Sequence, residues 1–151
     1  QYLDDLEGPT SIHYVPNAGH GLSLAVIPTV CIFFDEILSG RSLPQLPRQR
    51  SEDAKTVTIT VTPPTPPVRG ELWQAFSETR DFRNSRWTSR AVEPDPTGAF
   101  QVRLWRPRKP GTHIAFYLQL HFRSGDNTLG LATPVEVLPG EPESGNDPAP
   151  R

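Results

Sequence analysis

A chain of 151 residues with a formal net charge of −2, 35% hydrophobic residues, 18 prolines and 11 glycines has no bulk field to draw it to nucleic acid or a membrane surface. No apolar run approaches the ~18 residues of a membrane span, because Ser23, Pro28, Asp35 and Glu36 interrupt the longest one, from Leu22 to Leu38. The lone Cys31 cannot close an internal disulfide and is expected to be a small buried hydrophobe, while the frequent prolines predict short elements.

The first predicted unit is Ser11-Ile12-His13-Tyr14-Val15, a short apolar strand, followed by the turn Pro16-Asn17-Ala18-Gly19 and then His20-Gly21-Leu22. A helical pattern follows at once. Ile27, Val30, Cys31, Phe34 and Leu38 fall at three- and four-residue spacing, and Val26, Phe33 and Ile37 widen the stripe. Pro28 is tolerable only near the first turn, and Ser39-Gly40 supplies the stop. A strand, a tight turn presenting a histidine and a closing helix is the arrangement that delivers the triad base in α/β-hydrolases. There the chain order is Ser, then Asp or Glu, then His. His20 is therefore the candidate catalytic residue, and the nucleophile and acid are expected upstream of Gln1. One strand and one helix cannot bury so broad a stripe, so a missing hydrolase body is the expected partner. The stripe over 24–38 should stay exposed in this chain alone, which should be inactive by itself.

Residues 47–54 (Pro-Arg-Gln-Arg-Ser-Glu-Asp-Ala) are polar and aperiodic and read as a linker. The period then changes to two. Thr56-Val57-Thr58-Ile59-Thr60-Val61-Thr62 alternates, with the valines and isoleucine expected inward and the threonines outward. Further strands are expected at Gly70–Ser77, Trp87–Val92, Ala99–Trp105, Thr112–Phe122 and Leu129–Leu138, separated by Pro- or Gly-containing turns. Six or seven short strands in this length suit an all-β sandwich of immunoglobulin-like or fibronectin-like type over 55–139, without the inter-sheet disulfide of antibody domains. Residues 140–151 read as a disordered tail. The expected division is thus 1–46 as the C-terminal end of an α/β-hydrolase domain, 47–54 as linker, 55–139 as sandwich and 140–151 as tail.

Two stretches carry a family resemblance: Tyr2-Leu3-Asp4-Asp5-Leu6-Glu7-Gly8-Pro9 leading into Tyr14-Val15-Pro16-Asn17-Ala18-Gly19-His20-Gly21, and Leu72 to Trp87 with its Arg80-Asp81-Phe82-Arg83. Together they resemble the PhoPQ-activated pathogenicity-related protein family, over most of the chain from Tyr2 to Leu138. The resemblance implies a secreted or periplasmic, envelope-associated α/β-hydrolase with a β-rich C-terminal extension. It carries the catalytic histidine over to His20 and offers no counterpart here for the Ser or the Asp.

Other residues admit plainer roles. His13 lies within the strand and is expected to be structural. His113 and His121 sit eight apart on one strand face, with no carboxylate or thiol obviously paired, so neither a metal site nor a cofactor is expected. Arg80, Arg83, Arg86 and Arg90 around Trp87, with Arg103, Arg106, Arg108 and Lys109, make the β region locally basic. Interleaved Glu78, Asp81 and Glu93 favour ion pairing and cation–π stacking over nucleic-acid binding. Trp73, Trp87 and Trp105 suit a carbohydrate platform, although Trp73 and Trp105 alternate with apolar neighbours and burial is expected for both. Two functions remain open. One is the C-terminal part of a serine hydrolase acting on an ester or amide through an acyl-enzyme. The alternative is a non-catalytic sandwich module that binds a glycan or a protein partner.

Overall fold

The computed structural model describes residues 10–19, 24 and 26–140. One helix, α1 (Val26–Leu38), precedes eight strands: β1 (Arg48–Glu52), β2 (Thr56–Val61), β3 (Arg69–Ser77), β4 (Thr88–Val92), β5 (Phe100–Trp105), β6 (His113–Ser124), β7 (Asn127–Ala132) and β8 (Glu136–Pro139). They form two antiparallel sheets. The first has the order β1-β2-β5; the second runs β4-β3-β6-β7, with β8 also paired to β6. Among the described residues no helix is long and apolar enough to cross a membrane.

The two sheets share one core. On β2 the alternation places Val57, Ile59 and Val61 inside at 0, 3 and 0% exposure, and their β5 neighbours Phe100, Val102 and Leu104 join them. From the second sheet come Leu72, Leu118, Leu120 and Phe122. The threonines of β2 lie on the outer face as expected, except that Thr56 is buried at 2%. Its hydroxyl donates to Asp53 Oδ2 at 2.7 Å and its backbone N–H to Asp53 Oδ1 at 2.7 Å, which folds it into the turn between β1 and β2. The sheets approach closely at Gly70, where a Cβ would lie 2.6 Å from the Phe100 ring.

Five expectations are corrected. The strand expected over Ser11–Val15 is not one: only Ile12 pairs, in an isolated bridge to Ala132 at the end of β7. The expected linker 47–54 contains β1, paired over its whole length with β2. Every residue of β1 is exposed, so it has no buried face to impose a period. Its Arg48 and Arg50 reach Glu136 of β8 at 3.4 and 3.0 Å, tying the edges of the two sheets together. The single strand expected at Leu129–Leu138 is two, β7 and β8. Between them the Thr133 hydroxyl takes the place of a backbone acceptor for the Leu118 N–H at 3.1 Å, and Pro134 has no N–H to give the ladder. Cys31 is exposed rather than buried. Helix α1 presents Ile32 to β7 at 6% exposure, which turns the neighbouring Cys31 away. Trp105 is 64% exposed, because Phe100, Val102 and Leu104 take the inward parity of β5; the Arg103 guanidinium lies 5.4 Å over its ring.

The helix ends as its sequence predicts, with Gly40 at φ +67°. Arg41 folds back onto Glu36 and Asp35 at 2.7 and 2.6 Å, and Ser124 Oγ donates to Glu36 Oε1 at 2.9 Å. Ile32, Phe33, Leu43 and Leu46 join the core cluster. The expected stripe does not: Leu24, Ile27, Val30, Phe34 and Leu38 are between 43 and 85% exposed.

Candidate functional site

His20 lies outside the described residues, as do Gly21, Leu22 and Ser23. The segment that leads to it is described, and it is fastened along its length. Ala132 N–H donates to Ile12 O at 2.9 Å, adding a bridge to the edge of β7. His13 Nδ1 donates to Gly130 O at 3.0 Å, which fixes its tautomer and fits a structural role. Tyr14 packs on Tyr117 with centroids 4.7 Å apart, and its Oη accepts from Val135 N at 3.3 Å. At the turn, Asn17 adopts a left-handed φ of +59°, a conformation Asn tolerates better than most residues. Its side chain grips Trp87 at both ends, Nδ2 donating to Trp87 O at 2.9 Å and Oδ1 accepting from Trp87 N at 2.8 Å.

Beneath this segment lies the outer face of the second sheet. Glu71 and Trp73 of β3 stand opposite Gln119 and Tyr117 of β6, and His121 stands opposite Gly130 of β7. Trp73 is half-buried and stacks on Tyr117 at 12° and 6.4 Å, and Trp87 tilts onto the same ring at 5.3 Å. Burial pushes the Tyr117 phenol well above its ordinary range, so it stays a neutral hydroxyl. Neither its Oη nor the Trp73 indole nitrogen, both closed to solvent, has a hydrogen-bond partner among the described residues.

His121 has the carboxylate partner its sequence neighbourhood did not suggest. Its Nε2 lies 2.8 Å from Glu71 Oε2. Burial holds the imidazole below its ordinary value while Glu71 pulls the other way, leaving a neutral ring that donates from Nε2. The pair is diagonal across two strands some fifty residues apart, so only the register brings it together. His113, on the same strand face, turns its Nδ1 to Gly111 O at 3.0 Å instead. Among the described residues no three His, Cys, Asp or Glu side chains converge as a metal site would need. Part of the basic stretch is taken up in pairs: Arg83 with Asp81, Lys109 with Glu78, Arg106 with Glu52 and Arg103 with Asp53.

The model of the PhoPQ-activated pathogenicity-related protein family matches residues 1–83, more than half of the chain. The chain belongs to that family. The match runs through the fastened segment, α1 and β1 to β3, and stops at Arg83, short of the Leu138 to which the resemblance reached. No curated protein matches the chain. A solved structure described as "Crystal structure of Br derivative BhCBM56" is similar at a TM-score of 0.43 and 10% identity, covering 66% of this chain and 96% of that one. A likeness at that level carries neither ligand nor activity to this family member.

Proposed function

We propose that this chain supplies the C-terminal part of a secreted or envelope-associated serine hydrolase of α/β type, with His20 as the triad base. Residues 1–46 then belong to the hydrolase domain. Residues 55–139 form an immunoglobulin-like or fibronectin-like sandwich joined to it through 47–54, whose strand β1 is borrowed by the sandwich. The observation that carries this is the fastened turn at 16–19 together with α1, whose apolar stripe is largely exposed. Asn17, three positions before His20 in the sequence, is clamped to Trp87, and Ile27, Val30, Phe34 and Leu38 of α1 are exposed. A helix of this kind is built to lie against a sheet, which in this reading is the sheet of the hydrolase domain. The strand order supports the sandwich type. With β1-β2-β5 facing β4-β3-β6-β7, it keeps the A-B-E and C-F-G groupings of immunoglobulin-like folds, the fourth strand lying on the second sheet.

In this arrangement His20 takes the proton from an upstream Ser hydroxyl as it attacks the ester or amide carbonyl. It returns that proton to the leaving group, and the acyl-enzyme is then hydrolysed by water activated in the same way. The sandwich contributes by holding the turn: through His13, Tyr14 and Asn17 it fixes where the chain enters the site.

The test is ester hydrolysis by the full-length protein. His20→Ala should lower kcat on the order of 10⁴–10⁶-fold while leaving thermal unfolding unchanged. His13→Gln, which removes only the bond to Gly130, should cost less than about tenfold. Equal losses in the two variants, or an unaffected His20→Ala enzyme, would overturn the assignment.

A further inference from the structure

The open cleft between the fastened segment, the start of α1 and the outer face of the second sheet has a volume of about 480 Å³, within the range of about 300–1,000 Å³ usual for small-ligand sites. Its walls include Tyr14, Glu71, Trp73, Gln119, His121 and Thr128. Gln119 is the telling residue. It is 5% exposed, lines the cleft, and stands opposite Glu71 of β3 and Ala132 of β7, with no side-chain hydrogen bond holding its amide among the described residues. Room for it is made by Gly130, where a Cβ would come 2.8 Å from Gln119 Nε2. Trp73, on the adjoining strand, holds a second unmet donor in its indole N–H.

We propose that this cleft binds a neutral sugar unit through the Gln119 amide, the Glu71 carboxylate and the Trp73–Tyr14 aromatic wall. The chemistry on the wall is mixed. Gln119 both donates and accepts. Glu71 uses Oε2 for His121 and keeps Oε1 as an acceptor, while neutral His121, donating from Nε2, keeps Nδ1 as another. Interleaved donors and acceptors suit a ligand whose groups do both, which is the property of hydroxyls. The aromatic rings suit the C–H faces of a sugar ring. Arg69 and Glu71 cancel in charge at the cleft, so neither an anion nor a cation is favoured. This site goes beyond the hydrolase assignment and does not depend on any role for His20.

The test is a titration of the ¹⁵N-labelled 151-residue chain with neutral tri- and tetrasaccharides of glucose, mannose, galactose and N-acetylglucosamine, each up to about 10 mM. The side-chain NH₂ of Gln119 and the indole N–H of Trp73 report directly. At least one sugar should shift both resonances to saturation. Gln119→Leu should weaken that binding at least about tenfold, and Gly130→Ala, which displaces the amide without removing it, should weaken it as well. Three outcomes would overturn the proposal: no sugar shifts the two resonances, the shifts centre on exposed Trp105, or only uronic-acid oligosaccharides or a control tripeptide bind. The direct readout is on the unsubstituted chain, so it decides between binding and no binding even where a variant fails to fold.

Discussion

At Gly70 a Cβ would meet two atoms of the Phe100 ring at 2.6 and 2.7 Å and Leu120 at 3.0 Å. An aromatic ring fixed at 2% exposure between two sheets cannot swing aside as a flexible chain end can. Gly70→Ala should therefore cost about 1–3 kcal/mol by overpacking, read from urea unfolding midpoints; an unchanged midpoint would mean the sheets are free to separate there. His121 gives a pH signature. Its folded value lies below the ordinary 6.5, chiefly through burial, with Arg69 and His13 adding to that and Glu71 opposing it. The unfolded chain then binds the proton more readily than the fold. Stability is fully present above about pH 6.5 and falls as the pH drops from there through the folded value. In His121→Gln the unfolding free energy should be flatter over that window; equal slopes in both proteins would contradict the burial account. Neither feature is readable from sequence spacing, because one depends on the distance between sheets and the other on strand register.

Elements were legible where burial imposed a period. β2, β3 and β6 announce themselves because Val57, Leu72 and Leu118 with their alternate neighbours must face a core. β1 escapes the same test because both of its faces meet water. What holds it is the antiparallel ladder to β2 and the Asp53 turn, in which the backbone N–H groups of Lys55 and Thr56 donate to Oδ1 at 2.8 and 2.7 Å. These bonds, with the Thr56 hydroxyl foremost, hold the Asp53 carboxyl down at about 2. Its contribution is thus present above the ordinary carboxylate value of 3.8 and is lost as the pH falls through about 2. Asp53→Ala should speed amide exchange across Arg48–Glu52 while leaving the β3–β6 ladder protected; uniform exchange would mean the hairpin is not a separate unit. For α1, sequence periodicity found the helix and the breadth of its apolar stripe, but not which face the sheet would take. Ile32 and Phe33 pack toward β7, and the broader stripe is left bare. Val30→Lys with Phe34→Lys should therefore reduce self-association in sedimentation without lowering the unfolding midpoint. A loss of stability would show that the stripe is already packed.

At the scale of the molecule, the β region and the segment before it play different parts. The β region is closed on itself, with one core shared by two sheets, and it seizes the preceding segment at Ile12, His13, Tyr14 and Asn17. That grip ends at Asn17, three positions before His20 in the sequence, and α1 beyond it exposes an apolar face. The turn, the helix and the family motifs were visible in the sequence, whereas the strand expected over Ser11–Val15 is only a single bridge at Ile12. The grip was not visible, since its partners Gly130, Tyr117 and Trp87 lie about seventy to over a hundred positions away. The central claim, that His20 activates a serine in the full-length protein, is tested most directly by covalent labelling with a fluorophosphonate probe, which reacts with serines activated by a neighbouring base. Wild type and His13→Gln should both be labelled at one serine, and His20→Ala should lose that labelling by several orders of magnitude. Labelling of His20→Ala at the wild-type rate would contradict the assignment of His20 as the base.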